Sequence, residues 1–185
     1  MEFLHRWSAR LQRHPLEWLT CIAFLPRLLA ALFSGGYFAQ DDHFLVVEAA
    51  QSWVDGFDYN QWLPWNQPDP PVPTGHMMLY PGLHYLLFRL CHAVGLDDPQ
   101  LKMVLVRLLH ALWSLVTVRV GYRIALRLST PAVAWRCGLF LALLFFMPFL
   151  SVRNLVEVVS TPLLMLGAWQ LIRRPEGPNW RDALW

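Results

Sequence analysis

Residues 16–38 read LEWLTCIAFLPRLLAALFSGGYF, and the polar run Gln40-Asp41-Asp42-His43-Phe44 follows them almost directly. An apolar segment of about 20 residues is long enough to cross the hydrocarbon core of a bilayer as a helix. Two adjacent carboxylates at the mouth of such a helix are costly unless water reaches them. This junction therefore predicts a membrane-embedded protein that presents acidic groups to a polar molecule at the membrane surface.

The composition indicates the same class of protein. The chain has 185 residues, of which 56% are hydrophobic and only 15% are charged. A soluble domain of this size could not bury that much apolar surface. The net charge of +2 and the lack of a basic face with interleaved aromatic residues exclude a nucleic-acid partner. The three scattered cysteines offer neither a disulfide framework nor a metal cluster.

Four segments have the length and composition of transmembrane helices, so we predict an all-α, polytopic membrane fold. They cover residues 16–38, 101–128, 132–150 and 155–172. The segment 76–94 is also apolar, but Pro81 interrupts it and it carries three histidines and Arg89. We interpret it as an amphipathic helix that lies in the membrane interface, and the alternative is a fifth span.

The arginines indicate the orientation in the membrane. With four spans, nine arginines that flank the spans lie on one side, as cytoplasmic basic residues do. They are Arg6, Arg10, Arg13, Arg123, Arg127, Arg136, Arg173, Arg174 and Arg181. Residues 37–78 contain no Lys or Arg but six acidic residues, the last of which is Asp69. We therefore predict cytoplasmic termini and an outer loop of about residues 39–100, and a fifth span would break this pattern.

The predicted outer loop has two parts. Residues 43–55 read as an amphipathic helix, with Phe44 and Val47 near one face and Glu48 and Asp55 near the other. The Pro- and Trp-rich run 62–73 can be neither a helix nor a central strand. Its tryptophans suit the membrane interface or a surface on which a sugar stacks.

Several polar side chains lie inside the spans or at their ends, where such groups normally face the bundle interior or a water-filled cavity. Arg27 is near the middle of the first span, so we expect it to have a protein partner rather than to snorkel. Arg153, Asn154 and Glu157 come at the outer start of the fourth span. A stripe with helical spacing follows the second span. It consists of Arg107, His110, Ser114 and Thr117. Polar groups from three segments thus converge on the outer side.

Simpler roles compete with a functional one. Asp41 or Asp42 can N-cap the helix that begins near His43. Arg153 and Glu157 are four residues apart, so an ion pair between them on one helix, with no role in function, is the alternative. We also weigh a divalent-cation site beside His43, although two-residue metal signals are weak.

The order of these residues resembles that of the GT-C membrane glycosyltransferases. It is most similar to the dolichol-phosphate-mannose-dependent mannosyltransferases that build GPI anchors and N-glycan precursors. In those enzymes a span with an arginine precedes a Pro-Asp-Glu-His-Phe-Gln-like motif. Arg27-Leu28-Leu29 and Gln40-Asp41-Asp42-His43-Phe44 are the counterparts here.

Two later parts of the chain extend this resemblance, which covers residues 26–172. Trp62 and Tyr80-Pro81 loosely match a Trp-containing loop and a segment that re-enters the membrane surface. The stretch Val152-Arg153-Asn154-Leu155-Val156-Glu157 looks like the family's Arg-Thr-x-x-Asn-x-x-Glu motif. The chain departs from the family pattern at three places. Gln40 replaces a proline, Asp42 replaces a glutamate, and Asn154 directly follows Arg153.

The resemblance implies an enzyme that moves a sugar, expected to be mannose, from a polyprenyl-phosphate or dolichol-phosphate donor. The acceptor is a hydroxyl of a glycan, lipid or protein on the outer face, and one displacement inverts the anomeric centre. Asp41 matches the family's first acid and is the expected general base, with Asp42 beside it. Arg153, and after it Arg107, would hold the donor phosphate. The other predicted substrate-binding residues are His43, Asn154, Glu157 and Trp62.

No cofactor is predicted, and a divalent cation is the alternative. GT-C enzymes have about twice as many spans, so we expect residues 1–185 to be a single transmembrane domain from the N-terminal part of a larger module. The drift of the outer motif favours a bacterial inner membrane over an endoplasmic reticulum membrane. The competing class is a non-enzymatic polytopic protein, such as a channel, a transporter subunit or an assembly factor.

Overall fold

The computed structural model describes residues 14–67 and 75–173, and within these ranges the chain forms helices and no strand. The helices are α1 (Pro15–Phe33), α2 (three consecutive segments, Gln40–Asp42, His43–Glu48 and Ala49–Val54), α3 (Leu79–Ala93), α4 (Pro99–Leu128), α5 (Pro131–Leu143), α6 (Met147–Leu150) and α7 (Val156–Ile172). A 3-10 turn covers Pro64–Asn66. The all-α prediction is confirmed for the described residues. Six charged residues used for the orientation lie outside them: Arg6, Arg10, Arg13, Asp69, Arg174 and Arg181.

Two helices have the length and composition of membrane spans. They are α1, with 19 residues, and α4, with 30. The apolar helices α5 and α7 have 13 and 17 residues. At about 1.5 Å per residue, they reach roughly 20 and 26 Å, whereas the hydrocarbon core is about 30 Å thick. The first two predicted spans are thus supported by length, and the other two remain predictions.

The structure corrects the ends of two predicted spans. Helix α1 stops at Phe33 rather than at residue 38, since the backbone is already extended at Ser34, with φ −82° and ψ 113°. Gly36 then takes a left-handed φ of +67°, which a helix does not contain. The segment 132–150 is not one helix, since α5 ends at Leu143 and α6 begins at Met147. Pro148 has no backbone N–H and its ring disfavours the helical hydrogen bond to the carbonyl four residues earlier, so it weakens a continuous helix here and suits the first turn of α6, where it lies.

The first of two compact units comprises Met1–Gly35, Val106–Arg153 and Glu157–Trp185. Its core joins α1 to α4 and α5 through small side chains, with Ala23 and Ala142 packed on Leu115 and Val118. Gly138 lies so close to Leu19 that an added Cβ would come within 2.6 Å of a leucine methyl carbon. Small residues that let backbones approach are typical of helix packing in membranes, where the lipid is as apolar as the side chains.

The second unit comprises Gly36–Leu105 and Asn154–Val156. Here α2 packs against α3. One side of α3 is buried at Pro81, His84, Phe88 and Cys91, with the spacing of a helical face. The other side exposes four leucines, Leu79, Leu83, Leu86 and Leu90. At 15 residues, or roughly 22 Å, α3 is shorter than the hydrocarbon core, and it has the two-faced character of an interfacial helix.

Candidate functional site

The acid pair lies in the first turn of α2. This helix begins at Gln40, its N-cap is Ala39, and no side chain caps it. The hypothesis that Asp41 or Asp42 caps a helix starting near His43 is therefore wrong. The orphan N–H groups of a first helical turn favour negative charge, so the position stabilises both carboxylates electrostatically.

Asp41 and Asp42 differ in their surroundings. Asp41 is exposed, and within residues 14–67 and 75–173 it makes no hydrogen bond or ion pair. The Asp42 carboxylate instead accepts a hydrogen bond from the N–H of Val156, the first residue of α7, at 3.4 Å. Asp41 is therefore the acid of this pair that is available to an incoming molecule.

A π-helical segment, His43–Glu48, follows the acid pair directly. Its hydrogen bonds join residues five apart, and such segments are rare and frequent at functional sites. The altered winding brings His43 to Glu48, with Nε2 and Oε1 at 3.2 Å, although in an α-helix residues five apart point to different sides. The imidazole also stacks on Tyr37, with ring centroids 4.7 Å apart. His43 is thus held in place beside the acids.

Asn154 is hydrogen-bonded to the acid pair. This contact agrees with the prediction that polar groups from distant segments lie close together. Its Nδ2 donates to the Asp42 carbonyl oxygen at 2.8 Å, and its Oδ1 accepts from the Tyr80 hydroxyl at 2.6 Å. His84, one turn further along α3, lies with Nδ1 3.0 Å from the Tyr80 carbonyl oxygen. From the sequence, His84 had no predicted role and Tyr80 only a loose motif match. Tyr80 and His84 are four residues apart on an apolar helix, and this spacing is the sequence signal that could have placed them on one face.

Both of these α3 side chains are neutral. Burial, and then the negative charge of Asp42, raise the pKa of the Tyr80 phenol far above its usual range. Burial lowers the pKa of His84, and this outweighs the opposite effect of its hydrogen bonds with the Tyr80 backbone and Asn154. Tyr80 therefore acts as a hydrogen-bond donor and not as a base.

The first unit contains a separate pair of buried arginines. Arg107 Nε donates to the Ala31 carbonyl oxygen at 2.8 Å, and Arg153 Nη1 donates to that of Gly35 at 3.1 Å. Arg153 also lies 4.2 Å from the centre of the Phe149 ring. Burial, and then the positive charge of Arg107, lower the pKa of the Arg153 guanidinium. Two cations that repel each other this way form a surrounding that favours an anion.

The proposed pairing of Arg153 with Glu157 on one helix is wrong. Helix α7 begins at Val156, so Arg153 precedes it and the two residues share no helical face. Glu157 is exposed in the first turn of α7, where its carbonyl oxygen accepts from the hydroxyls of Ser160 and Thr161. The polar stripe of α4 does face inward, since Arg107, His110 and Ser114 are buried and Thr117 is partly buried.

Arg27 has the protein partners that its position predicted. Its side chain is 2% exposed and donates from Nε to Ser114 Oγ at 3.0 Å. Its Nη1 donates to the carbonyl oxygens of Ala23 and Ala142 at 3.0 and 2.9 Å, and its Nη2 to that of Leu141 at 3.0 Å. Leu141 and Ala142 lie at the C-terminus of α5, where carbonyls lack helical partners and the helix dipole is negative. Arg27 thus fastens α1 to the end of α5.

Trp62 is less available than a sugar-stacking role requires. It is buried, and His76 covers it with the ring centroids 4.4 Å apart. The loop around it is held by Asp58, which accepts from the Leu63 N–H and from the Trp53 indole. Burial raises the pKa of Asp58, but these hydrogen bonds and others lower it more, so the net shift is downward. In the part of the chain that the structure describes, no group of three or more His, Cys, Asp or Glu side chains could hold a metal ion.

These features define a class of protein. A helical chain with two candidate spans, an acid pair after the first and buried arginines has the features of a membrane protein with a functional polar site. The sequence pattern of the Alg9-like mannosyltransferase family matches residues 18–176, and the chain belongs to that family, within the GT-C superfamily.

One curated relative is Mannosyltransferase APTG1 of Arabidopsis thaliana, which is 28% identical over 158 residues. The match covers 84% of this chain and 27% of the plant protein, so the chain spans about a quarter of that relative's length. No solved structure matches the chain. The resemblance inferred from the sequence is confirmed at the level of the family.

Proposed function

We propose that the protein transfers mannose from a polyprenyl-phosphate donor to an acceptor hydroxyl, with Asp41 as general base. The observation that carries this proposal is the state of Asp41: an exposed carboxylate that no described side chain engages, in the first turn of a helix. Membership of a mannosyltransferase family supports the reaction class. The acceptor belongs to the class of glycans, lipids or proteins that carry a free hydroxyl.

The chemistry needs one base and no acid. As the acceptor oxygen forms its bond to the anomeric carbon, its proton passes to the Asp41 carboxylate. The bond from that carbon to the phosphate oxygen breaks at the same time, and the phosphate leaves with the electron pair. Attack from the opposite face inverts the anomeric centre. A positioned base of this kind contributes about 10²–10⁴-fold to the rate.

The leaving phosphate gains negative charge and needs positive charge nearby. The proposed group is Arg153, supported by Arg107, because these two arginines repel each other and an anion would relieve that repulsion. The planar guanidinium can give two charge-assisted hydrogen bonds to phosphate oxygens. The acid pair and the arginine pair belong to different units of the chain, so each role is tested by its own variants.

The proposed setting is a multi-pass arrangement with the acid pair on the outer face. Exposed leucines on α1 and, in the other unit, on α3 would contact lipid. The departures of the acidic motif from the eukaryotic pattern favour a bacterial inner membrane.

The test compares Asp41→Asn with Asp55→Asn in the full-length protein, reconstituted in vesicles with polyprenyl-phosphate-mannose and a glycolipid extract as acceptor. Asp55 is the matched control because it is also an exposed aspartate of the second unit. We expect Asp41→Asn to lower kcat at least about 100-fold and Asp55→Asn to leave it unchanged. Near-normal turnover by Asp41→Asn would reject Asp41 as the base. Failure of the wild-type protein to consume the donor would reject the enzymatic proposal and favour a non-enzymatic membrane protein.

A further inference from the structure

Two hydrogen bonds connect α3 to the acid pair within the second unit, and a third joins Asp42 to Val156. The Tyr80 hydroxyl donates to Asn154 Oδ1 at 2.6 Å, and Asn154 Nδ2 donates to the Asp42 carbonyl oxygen at 2.8 Å. The Asp42 carboxylate then accepts the Val156 N–H at 3.4 Å. Asn154 is therefore fixed at both ends of its amide, which also assigns its oxygen and nitrogen unambiguously.

The hydrogen bond from Asn154 to the Asp42 carbonyl holds the first turn of α2. The turn has no side-chain cap of its own, and the winding changes from α to π immediately after Asp42. A carbonyl oxygen has two lone pairs, so it can accept from Asn154 as well as from the helix backbone. Asp41 precedes Asp42 by one residue, and its direction follows from the orientation of this turn.

Tyr80 fixes the orientation of the Asn154 side chain through its hydroxyl. It is a neutral, partly buried donor, and His84 packs against it edge to face with the ring centroids 4.6 Å apart. His84 Nδ1 also contacts the Tyr80 carbonyl oxygen at 3.0 Å. The ring contact thus limits the rotation of the phenol, and the phenol, together with a hydrogen bond between His84 and Asn154, limits the rotation of the Asn154 amide.

We propose that Tyr80 is a positioning residue for the Asp41–Asp42 turn and that it acts through Asn154. This rests on the proposed role of Asp41 in sugar transfer. Tyr80 does not touch the reacting atoms in this proposal. Its hydroxyl fixes the amide that holds the turn, so its loss misdirects the base without changing how the donor binds.

The kinetic test uses Tyr80→Phe, Asn154→Leu and the double variant, with Tyr85→Phe as the matched control on the same helix. Tyr85 contacts the Trp53 ring, and no hydrogen bond of its hydroxyl is present within the described residues. We expect Tyr80→Phe to lower kcat about 3- to 10-fold with an unchanged donor KM, the loss that one hydrogen bond accounts for. The double variant should be no worse than Asn154→Leu alone, because the two residues act in series. Additive losses, or an equal loss in Tyr85→Phe, would overturn the proposal.

A second measurement is independent of sugar transfer. In a background with Cys21→Ser and Cys137→Ser, which removes the exposed thiols, Asp41→Cys is labelled with a water-soluble maleimide. Adding Tyr80→Phe should change the labelling rate at least about threefold, and adding Tyr85→Phe should not. Equal rates in all three proteins overturn the positioning role even if Asp41 proves to be the base. A changed rate in a protein without transferase activity supports the positioning and refutes only the proposed function.

Discussion

The substitution Arg27→Met tests how the membrane helices of the first unit are held together. Arg27 is 2% exposed and donates to four acceptors on three parts of the chain. Methionine fills much of the same volume but donates no hydrogen bond. Since replacing a buried charge by an apolar group is often neutral or even stabilising, the sign of the effect is not obvious in advance.

The size of the stability loss depends on which acceptors of Arg27 are left without any hydrogen-bond donor. The Ala23 carbonyl lies one turn before Arg27 in α1 and keeps its helical hydrogen bond, and the Ser114 hydroxyl still donates to Ala111 at 2.8 Å. The Leu141 and Ala142 carbonyls lie in the last turn of α5 and have no helical N–H to accept from. Each buried group left without a partner costs about 1–3 kcal/mol. We therefore expect Arg27→Met to lower the free energy of unfolding by about 2–6 kcal/mol.

Thermal unfolding of the purified protein in detergent, followed by tryptophan fluorescence, measures this loss. For a chain of this size, about 2–4 °C of Tm corresponds to 1 kcal/mol, so Tm should fall by at least roughly 4 °C. Arg27→Lys should lie between wild type and Arg27→Met, because one ammonium can reach the carbonyls but not all four acceptors. Arg123→Met is the control, since Arg123 is exposed on α4. A variant Arg27→Met as stable as wild type would refute the reasoning.

Three further results are expected. Arg153→Lys should retain weak transferase activity and Arg153→Ala almost none, with losses in donor KM and kcat beyond what any fall in Tm explains, because only the guanidinium offers a fork to phosphate. Gly138→Ala should lower the free energy of unfolding by about 1–3 kcal/mol, because its Cβ would lie 2.6 Å from a methyl carbon of the fully buried Leu19. In intact cells, an impermeant thiol reagent should label Asp55→Cys and not Ser129→Cys, since the arginine pattern places residue 129 in the cytoplasm.

Each of these results has a matched comparison. Arg123→Ala, at an exposed arginine of α4, should leave donor KM unchanged, and a loss of activity in Arg153→Ala that its fall in Tm fully explains would make Arg153 a purely structural residue. Gly167→Ala, where an added Cβ meets nothing within 4 Å, should stabilise α7 by up to about 1 kcal/mol. If Gly138→Ala gains stability as Gly167→Ala does, the packing argument at Leu19 is wrong. Labelling of Ser129→Cys alone would invert the predicted orientation.

The sequence by itself determined the helical class, the apolar segments and the family. These depend on local composition: a long apolar run forms a helix wherever the backbone must satisfy its own hydrogen bonds, and a motif is read from consecutive residues. The inward direction of Arg107, His110 and Ser114 was equally predictable, because helical spacing alone places them on one face. Family membership followed from the acidic motif and the segment around Arg153 for the same reason.

The ends of the helices could not be predicted as well. Apolar composition continues from residue 132 to residue 150, yet α5 stops at Leu143. Pro148 was a visible reason for a break near this point. The stop at Leu143 itself coincides with the hydrogen bonds of Arg27, which satisfy the last carbonyls of α5 from another helix. A window of sequence does not contain that partner, which is 115 residues away from Ala142.

Only the tertiary structure distinguished the two acids and gave partners to the polar residues. Asp41 and Asp42 are identical and adjacent in sequence, but the Asp42 carbonyl and carboxylate are engaged by Asn154 and Val156, whereas Asp41 is left exposed. The predicted ion pair between Arg153 and Glu157 is wrong because α7 begins after Arg153. Hydrogen-bond partners more than 70 residues apart, such as Tyr80 and Asn154, are set by how the chain packs, since their energy depends on distance and direction in space rather than on spacing along the chain.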